Sequence, residues 1–462
     1  MRSQTVFAWL AGLSLLAAAT LAAAPPRTPS PRLSEAARWL QGYLAVDTSN
    51  PPGNEQKAAD FLEAILRREG LATRRIVTPK GRTNLWARLS APGSGGKAVL
   101  LLHHMDVVAP GPGWTVPPFA GLVKEGRLWG RGALDDKSLG IAQLAALIDL
   151  KRRGTPRVRD VIYLAVADEE SGGGEGTGWL LAQHPELFTG VEGVIGEGGR
   201  NQVAGNRLLW WGVEVAQKRP LWLTVEASGR GGHASGLNPA SAVHQLIAGL
   251  SRVLALPPRY RVSPAARNYV QALAPLHNEH WRKILSQIDK VIGEQGPSEF
   301  LLPGMANLFL DTVQVTVVSG GERINVIPEK AQALIDVRLL PDTDGQALLA
   351  TLKQALGKEL DVKVLLTSPQ AAPSPTAGRL YEAMTKTLGR QAPIVPAMIP
   401  GFTDSRYFRE RGIPAYGLST FVLDGNEQRG IHSTDERIPL AEFDQGVERL
   451  RQLLYFYISP TH

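Results

Sequence analysis

The 462-residue chain contains no cysteine. This excludes disulfide staples, a cysteine nucleophile, thiolate zinc sites and a bacterial lipoprotein anchor. A chain of this length can bury a core large enough to fold without cross-links. Internal repeats are absent too, and aromatic residues make up only 6% of the sequence. The formal charge is +7 and the pI about 9.5, but no basic stripe is interleaved with aromatics. The cations sit in short clusters, Arg67-Arg68, Arg74-Arg75 and Lys151-Arg152-Arg153, each ending a helix-like stretch where positive charge suits the dipole. Nucleic acid is therefore not an expected partner, and the excess charge suits acidic or carboxylate substrates.

Against these absences stands an ordinary globular composition, 44% apolar and 20% charged, with a length that favours two domains. The N-terminus differs. Arg2 precedes an apolar stretch from Val6 to Leu21, which exits through Ala22-Ala23-Ala24 into Pro25-Pro26. A basic start, an apolar centre and a small-residue exit describe a secretory signal over residues 1–24. The alternative is a membrane anchor. The stretch is near the minimum length for spanning, and no basic stop-transfer cluster follows it. The expectation is a secreted or periplasmic protein with no stable membrane anchor after cleavage.

Residues 25–34 form a proline-rich spacer, and helical patterns follow from Glu35 and from Glu55. Apolar strand-like runs at 98–103, 161–167 and 194–196 then alternate with a helix-like segment at 139–150. Such alternation predicts an α/β fold, a mainly parallel sheet sandwiched by helices. From residue 219 the order becomes strand, helix, strand, strand, helix, strand, the split βαβ pattern of a small α+β sandwich. Residues 257–307 interrupt that pattern and read as an insertion in the smaller domain. The first pattern resumes after residue 370. The expected organisation is a catalytic domain of residues 35–218 and 371–462, with an inserted lid or dimerisation domain at 219–370.

Five metal-type ligands stand where apolar runs end: His104 in HHMDVV, Asp135 in GRGALDDKS, Glu170 in ADEESGG, Glu197 in GEGG and His432 in GIHSTDE. Open α/β sheets gather their chemistry at the carboxyl ends of strands. Two imidazoles and three carboxylates suffice for two metal ions that share a bridging carboxylate. Asp106, two residues after His104, can orient an imidazole. Glu169 has no structural reason to stand beside Glu170, but it fits a general base. Read alone, each feature has a plainer explanation: a structural histidine, or a helix cap at Asp135-Asp136.

Together, the runs HHMDVV, GRGALDDKS, ADEESGG, GEGG, SGRGGHAS and GIHSTDERI resemble the co-catalytic zinc aminoacylase and carboxypeptidase family over residues 35–460. The resemblance implies two zinc ions, with cobalt or manganese as substitutes, bridged by Asp135. His104 and Glu197 would complete one site, and Glu170 and His432 the other. It also implies Glu169 as general base, Asp106 as the orienter of His104, and a cis peptide between Asp135 and Asp136. His233 would be the lid-domain histidine that reaches the reacting carbonyl, commonly across a dimer interface. Arg323 and Asn325 would bind a substrate carboxylate, and the segment around Gly401, Thr403, Asp404, Ser405 and Arg406 would line the cleft. The implied substrate is a small peptide or an N-acyl amino acid, and a homodimer would form through the lid. Two features depart from the family pattern: His103 stands where glycine is commoner, and AQKRP at 216–220 replaces an acidic-basic-glycine turn. A non-catalytic periplasmic metal- or peptide-binding protein of the same fold is the alternative, as is an interaction module that uses the inserted domain alone. Loss of Glu169 or of a ligand would favour either, and none is lost.

Overall fold

The computed structural model describes residues 33–199, 201–205, 207–296 and 305–460. The expected signal segment 1–24 lies outside the described residues, as does the spacer except Leu33 and Ser34. Among the described residues no helix is long and apolar enough to cross a membrane.

A nine-stranded sheet organises the larger part. At its centre Ala98–His104 lies between Asp160–Val166 and Val191–Gly196, with Ala415–Gly417 beyond, and these four run parallel. The flanks are antiparallel: Thr83–Leu89 and Thr73–Val77 on one side, Gln202–Ala204 with Arg207–Gln217 on the other. The expected mainly parallel sheet is thus the centre of a mixed one. Ile394–Ile399, which sequence reasoning missed, pairs parallel to Arg207–Gln217. It carries Pro396 inside the ladder, a residue that normally argues against a strand.

The central strands are buried on both faces, so their alternate residues enter two cores. Val99, Leu101, Val161 and Tyr163 face one, with the helix Lys137–Arg152 and, outside it, the helices Glu35–Leu44 and Leu440–Ile458. Leu100, Leu102, Ile162 and Leu164 face the other, with Leu180, Phe188 and Phe408. Residues 219–367 build a separate four-stranded antiparallel sheet in the order Thr312–Ser319, Lys330–Leu339, Arg219–Ser228, Leu360–Thr367. Its helices Ala242–Leu254 and Gly345–Leu356 pack on one face over an apolar core of their own.

The segment read as an insertion in the smaller domain packs elsewhere. Its helix Pro264–Leu273 lies against the strand Ile394–Ile399, and Tyr269, Leu273, Leu285 and Ile288 join the core of the large sheet. The apolar faces of these helices find their burial there, whereas Ala242–Leu254 and Gly345–Leu356 cover the small sheet. At the junction, the AQKRP segment runs from one strand straight into the next, with only Lys218 between Arg207–Gln217 and Arg219–Ser228, and ties the two sheets together. Gln217 donates to the Thr403 carbonyl at 3.0 Å, Lys218 reaches Thr312 Oγ1 at 3.0 Å, and Arg219 bonds the carbonyls of Pro341, Thr343 and Ser368.

Candidate metal centre

His104 is the last residue of the central strand, and Glu170 and Glu197 follow the ends of its two neighbours. Asp135 and His432 are not at strand ends, contrary to the sequence reading. Asp135 lies in the loop before the helix Lys137–Arg152, and His432 in a loop after the short helix Gly425–Gln428. Both loops converge on the carboxyl edge of the sheet. The peptide between Asp135 and Asp136 is cis, as the resemblance implied. Asp136 makes no side-chain cap for the helix that follows, so the capping explanation does not describe it.

The five ligand-type residues form two triads with Asp135 in both: His104, Asp135 and Glu197, and Asp135, Glu170 and His432. Within each triad the donor atoms lie within 4.8 Å of one another. His104 Nε2 stands 2.9 Å from Asp135 Oδ1 and 3.8 Å from Glu197 Oε1. His432 Nε2 stands 3.0 Å from Asp135 Oδ2 and 3.3 Å from Glu170 Oε2. One oxygen of Asp135 therefore addresses each side, the geometry a bridging carboxylate needs. His432 holds this place with a left-handed backbone, φ 58°, uncommon for a residue with a side chain.

The imidazole of His104 is fixed from behind. Its Nδ1–H donates to the Asp106 carbonyl at 2.9 Å, leaving Nε2 free toward the triad. The Asp106 carboxylate is farther from Nδ1, at 3.6 Å. Instead it accepts from the backbone N–H groups of Glu169 and Glu170, both at 3.1 Å, and from Asn50 Nδ2 at 2.7 Å. So the predicted orienter acts on the ring through its backbone and on the Glu169-Glu170 loop through its side chain. In the GEGG turn, a side chain at Gly199 would meet Ser419 N at 2.7 Å and the Gly212 carbonyl at 2.9 Å. Only glycine lets the chain leave Glu197 so close to its neighbours.

The electrostatics fit a pair of cations. Burial pushes Glu169 well above the usual carboxylate range, and neighbouring carboxylates add to it. Glu197 is raised by the same two causes. For Asp135, burial is outweighed by hydrogen bonds from His104 and His432, and its carboxyl is held low. His432 is pushed up to about 10 by Asp135 and Glu170. Four carboxylates crowd two imidazoles, and such crowding is relieved by metal ions on the two triads.

The remaining predicted residues fall in three places. Thr403 and Asp404 line a narrow recess with Glu169, His104 and Glu197. Thr403 is tied to Gln217, and Asp404, raised to about 6 by burial, accepts from Thr177 Oγ1 at 2.7 Å. Gly401, at the head of this segment, is partly exposed. Arg406 is buried and spent on Ser368 Oγ and the Gly172 carbonyl, at 2.9 and 2.5 Å, so it braces the site and does not line it. His233, Arg323 and Asn325 come together on an exposed ribbon beside the four-stranded sheet, where His233 pairs with Val326 and Ala234 N–H donates to the Asn325 carbonyl. No hydrogen bond or ion pair among the described residues joins this ribbon to the ligand loops.

His103 points away from the triads. Successive strand residues point to opposite faces, and His103 is buried against Gly140 and 5.1 Å from the Tyr163 ring, with no partner for either nitrogen among the described residues. Sequence reasoning also missed Glu436. Its buried carboxylate accepts from Arg131 at 2.6 Å and from the N–H groups of Gly132, Leu134 and Asp135 at 3.1, 2.6 and 3.1 Å. A carboxylate four residues beyond a ligand histidine was the available signal, but nothing local named its partners.

A sequence profile described as "Peptidase family M20/M25/M40" matches residues 100–455. The chain belongs to that family. It is a metal-dependent hydrolase acting on amide bonds. Aminoacylase-1 of Pongo abelii is 28% identical over 427 residues, covering 89% of this chain and 92% of the relative. The human N-fatty-acyl-amino acid synthase/hydrolase PM20D1 is 27% identical over 372 residues, covering 77% and 73%. Among solved structures, the M20 family metallo-carboxypeptidase Sso-CP2 from Sulfolobus solfataricus superposes with a TM-score of 0.67 at 18% identity, covering 92% of this chain and 99% of its own.

Proposed function

We propose that the protein is an exported two-zinc hydrolase that cleaves the amide bond of N-acyl amino acids or of C-terminal residues in peptides, with Glu169 as general base. The observation that carries this reading is the pair of donor triads sharing Asp135, one residue from which pair's Glu170 stands the buried Glu169. Imidazole and carboxylate donors suit zinc, with cobalt or manganese as substitutes. When bound, two such ions polarise the scissile carbonyl and acidify the attacking water.

The chain's own residues supply the rest. Burial holds the Glu169 carboxyl high, and it would return toward an ionised base with cations held by the adjoining triads. Glu169 accepts the proton of the water and passes it to the leaving nitrogen. Asp106 keeps this loop in register through the Glu169 and Glu170 N–H groups. His233 serves as an oxyanion donor, and Arg323 with Asn325 holds the substrate carboxylate. Because these three sit on the exposed ribbon, domain closure or a second copy must complete the site. Leu237 and Ile324, 102% and 101% exposed on the same ribbon, support a homodimer through the domain of residues 219–370. Export rests on the signal-like composition of residues 1–24. The names of the relatives, an aminoacylase and an N-fatty-acyl-amino acid hydrolase, support the substrate class.

The test is Glu169→Gln in the zinc-loaded protein, assayed on N-acyl amino acids and dipeptides. The variant should keep both metals while kcat falls about 10²–10⁴-fold. Near-wild-type turnover with full metal content would remove Glu169 from the mechanism. A wild type that binds metal but hydrolyses neither class would favour the non-catalytic binding protein.

A further inference from the structure

The turn that carries Glu169 is held mainly from outside. Glu169–Ser171 is a single 3₁₀ turn, too short to fix its own place through internal bonds. It closes at Gly172, whose N–H donates to the Glu169 carbonyl at 2.7 Å. Gly172 stands at φ 104°, a conformation that residues with a side chain rarely adopt. Its own carbonyl accepts from Arg406 Nη2 at 2.5 Å and from the Tyr407 hydroxyl at 2.8 Å.

Arg406 reaches the four-stranded sheet as well. Its Nε donates to Ser368 Oγ at 2.9 Å. Ser368 directly follows the strand Leu360–Thr367, where the chain crosses back toward the large sheet. The other crossing is Gln217–Arg219, and Arg219 Nη1 donates to the Ser368 carbonyl at 2.6 Å. Ser368 is thus tied to both crossings. Two further contacts join the same parts. Leu366 of the small sheet packs on Gly172, 2.7 Å from where a Cβ would stand. The Phe402 ring lies 4.9 Å from the Arg406 guanidinium and 4.5 Å from that of Arg338, on the strand Lys330–Leu339.

Arg406 is only 3% exposed, both its hydrogen bonds go to neutral oxygens, and Nη1 has no partner among the described residues. Burying a charge is costly, and a loop that needed only packing would be served as well by an apolar side chain. What the guanidinium adds is a rigid fork of donors, which cannot follow Ser368 without carrying Gly172 along. We infer that Arg406 is a positioning residue for Glu169, relaying the place of the four-stranded sheet at Ser368 to the turn that carries the base. Displacing that sheet then displaces the base, and about 1 Å at a reacting group is worth about 100-fold in rate. The inference rests on Glu169 as the general base of an amide hydrolase and deepens that reading.

The experiment follows kcat and KM of the zinc-loaded full chain on an N-acetyl amino acid and a dipeptide, with bound zinc counted in each variant. Ser368→Ala removes the far end of the relay, and Arg406→Lys keeps the charge but cannot span both partners. Each is also made in the Glu169→Gln background. The expected result is a kcat about tenfold lower in Ser368→Ala and about 100-fold lower in Arg406→Lys, with KM within about twofold and both zinc ions kept. In the Glu169→Gln background neither should lower the residual rate more than about twofold, because a relay acting through Glu169 has nothing left to place. Unchanged kcat in the folded variants, a loss confined to KM, lost zinc, or the same loss in both backgrounds overturns the relay and leaves the hydrolase standing. Where Arg406→Lys fails to fold, Ser368→Ala decides alone. Glu169→Gln at the wild-type rate overturns the base assignment and the relay with it, as does a wild type that hydrolyses neither substrate.

Discussion

Glu436→Gln tests how the two ligand loops are held together. The Glu436 carboxylate joins the loop of His432 to that of Asp135, accepting four hydrogen bonds, one of them from the Asp135 N–H itself. Burial raises its carboxyl, while the backbone donors and Arg131 oppose that rise. Glutamine has nearly the same shape but one acceptor oxygen and an amide that donates. Two of the four donors would then face another donor, and the buried Arg131 would lose its counter-charge. An unsatisfied buried donor costs about 1–3 kcal/mol, and breaking a buried ion pair about 3–5 kcal/mol. The loss should fall on stability and on the placement of Asp135, so zinc affinity should drop about 10–100-fold, the usual effect of losing a ligand's supporting partner. The assays are urea unfolding of the metal-free protein and zinc affinity by chelator competition. Wild-type values in both would show that Glu436 neither positions Asp135 nor compensates Arg131.

Three further outcomes are expected. His103 is pushed down to about 3 by burial, whereas an unfolded imidazole titrates near pH 6.5. The unfolded chain therefore binds the extra proton across that window, and stability falls as pH drops from about 6.5 toward 3. In metal-free protein, His103→Leu should gain about 2 kcal/mol over wild type between roughly pH 7.5 and pH 5, and at about pH 7.5 it should still bind two metals. A lost metal would make His103 a ligand. Arg323→Ala should weaken hydrolysis of substrates with a free carboxylate by about tenfold or more, since a charge-assisted pair is lost, and leave amidated analogues nearly unaffected; equal penalties would reduce Arg323 to a loop cation. Leu237→Glu with Ile324→Glu should shift a dimer to monomer in sedimentation and lower turnover, whereas an unchanged sedimentation coefficient would refute the ribbon as the interface.

The features legible in the sequence are those encoded over short stretches. Helical spacing of apolar residues marked Gly345–Leu356 and the core of Lys137–Arg152, and period-two or continuous apolar runs marked the central strands. The five residues that meet in the two triads were legible because each sits in a short run of distinctive composition. What tertiary structure decided depends on contacts between residues far apart in the chain. Which of His103 and His104 faces the metal centre follows from which face of the strand Ala98–His104 the helix bearing Gly140 covers. The partners of Glu436 lie about 300 positions earlier, beyond any local pattern. The helices of residues 264–295 carry an apolar face that sequence can mark, but not the surface that receives it; that surface turned out to be the large sheet. The same holds for the two partners of Arg406, Gly172 and Ser368, which lie 234 and 38 positions earlier. Periodicity reports that a side chain will be buried, and only the folded chain decides against what.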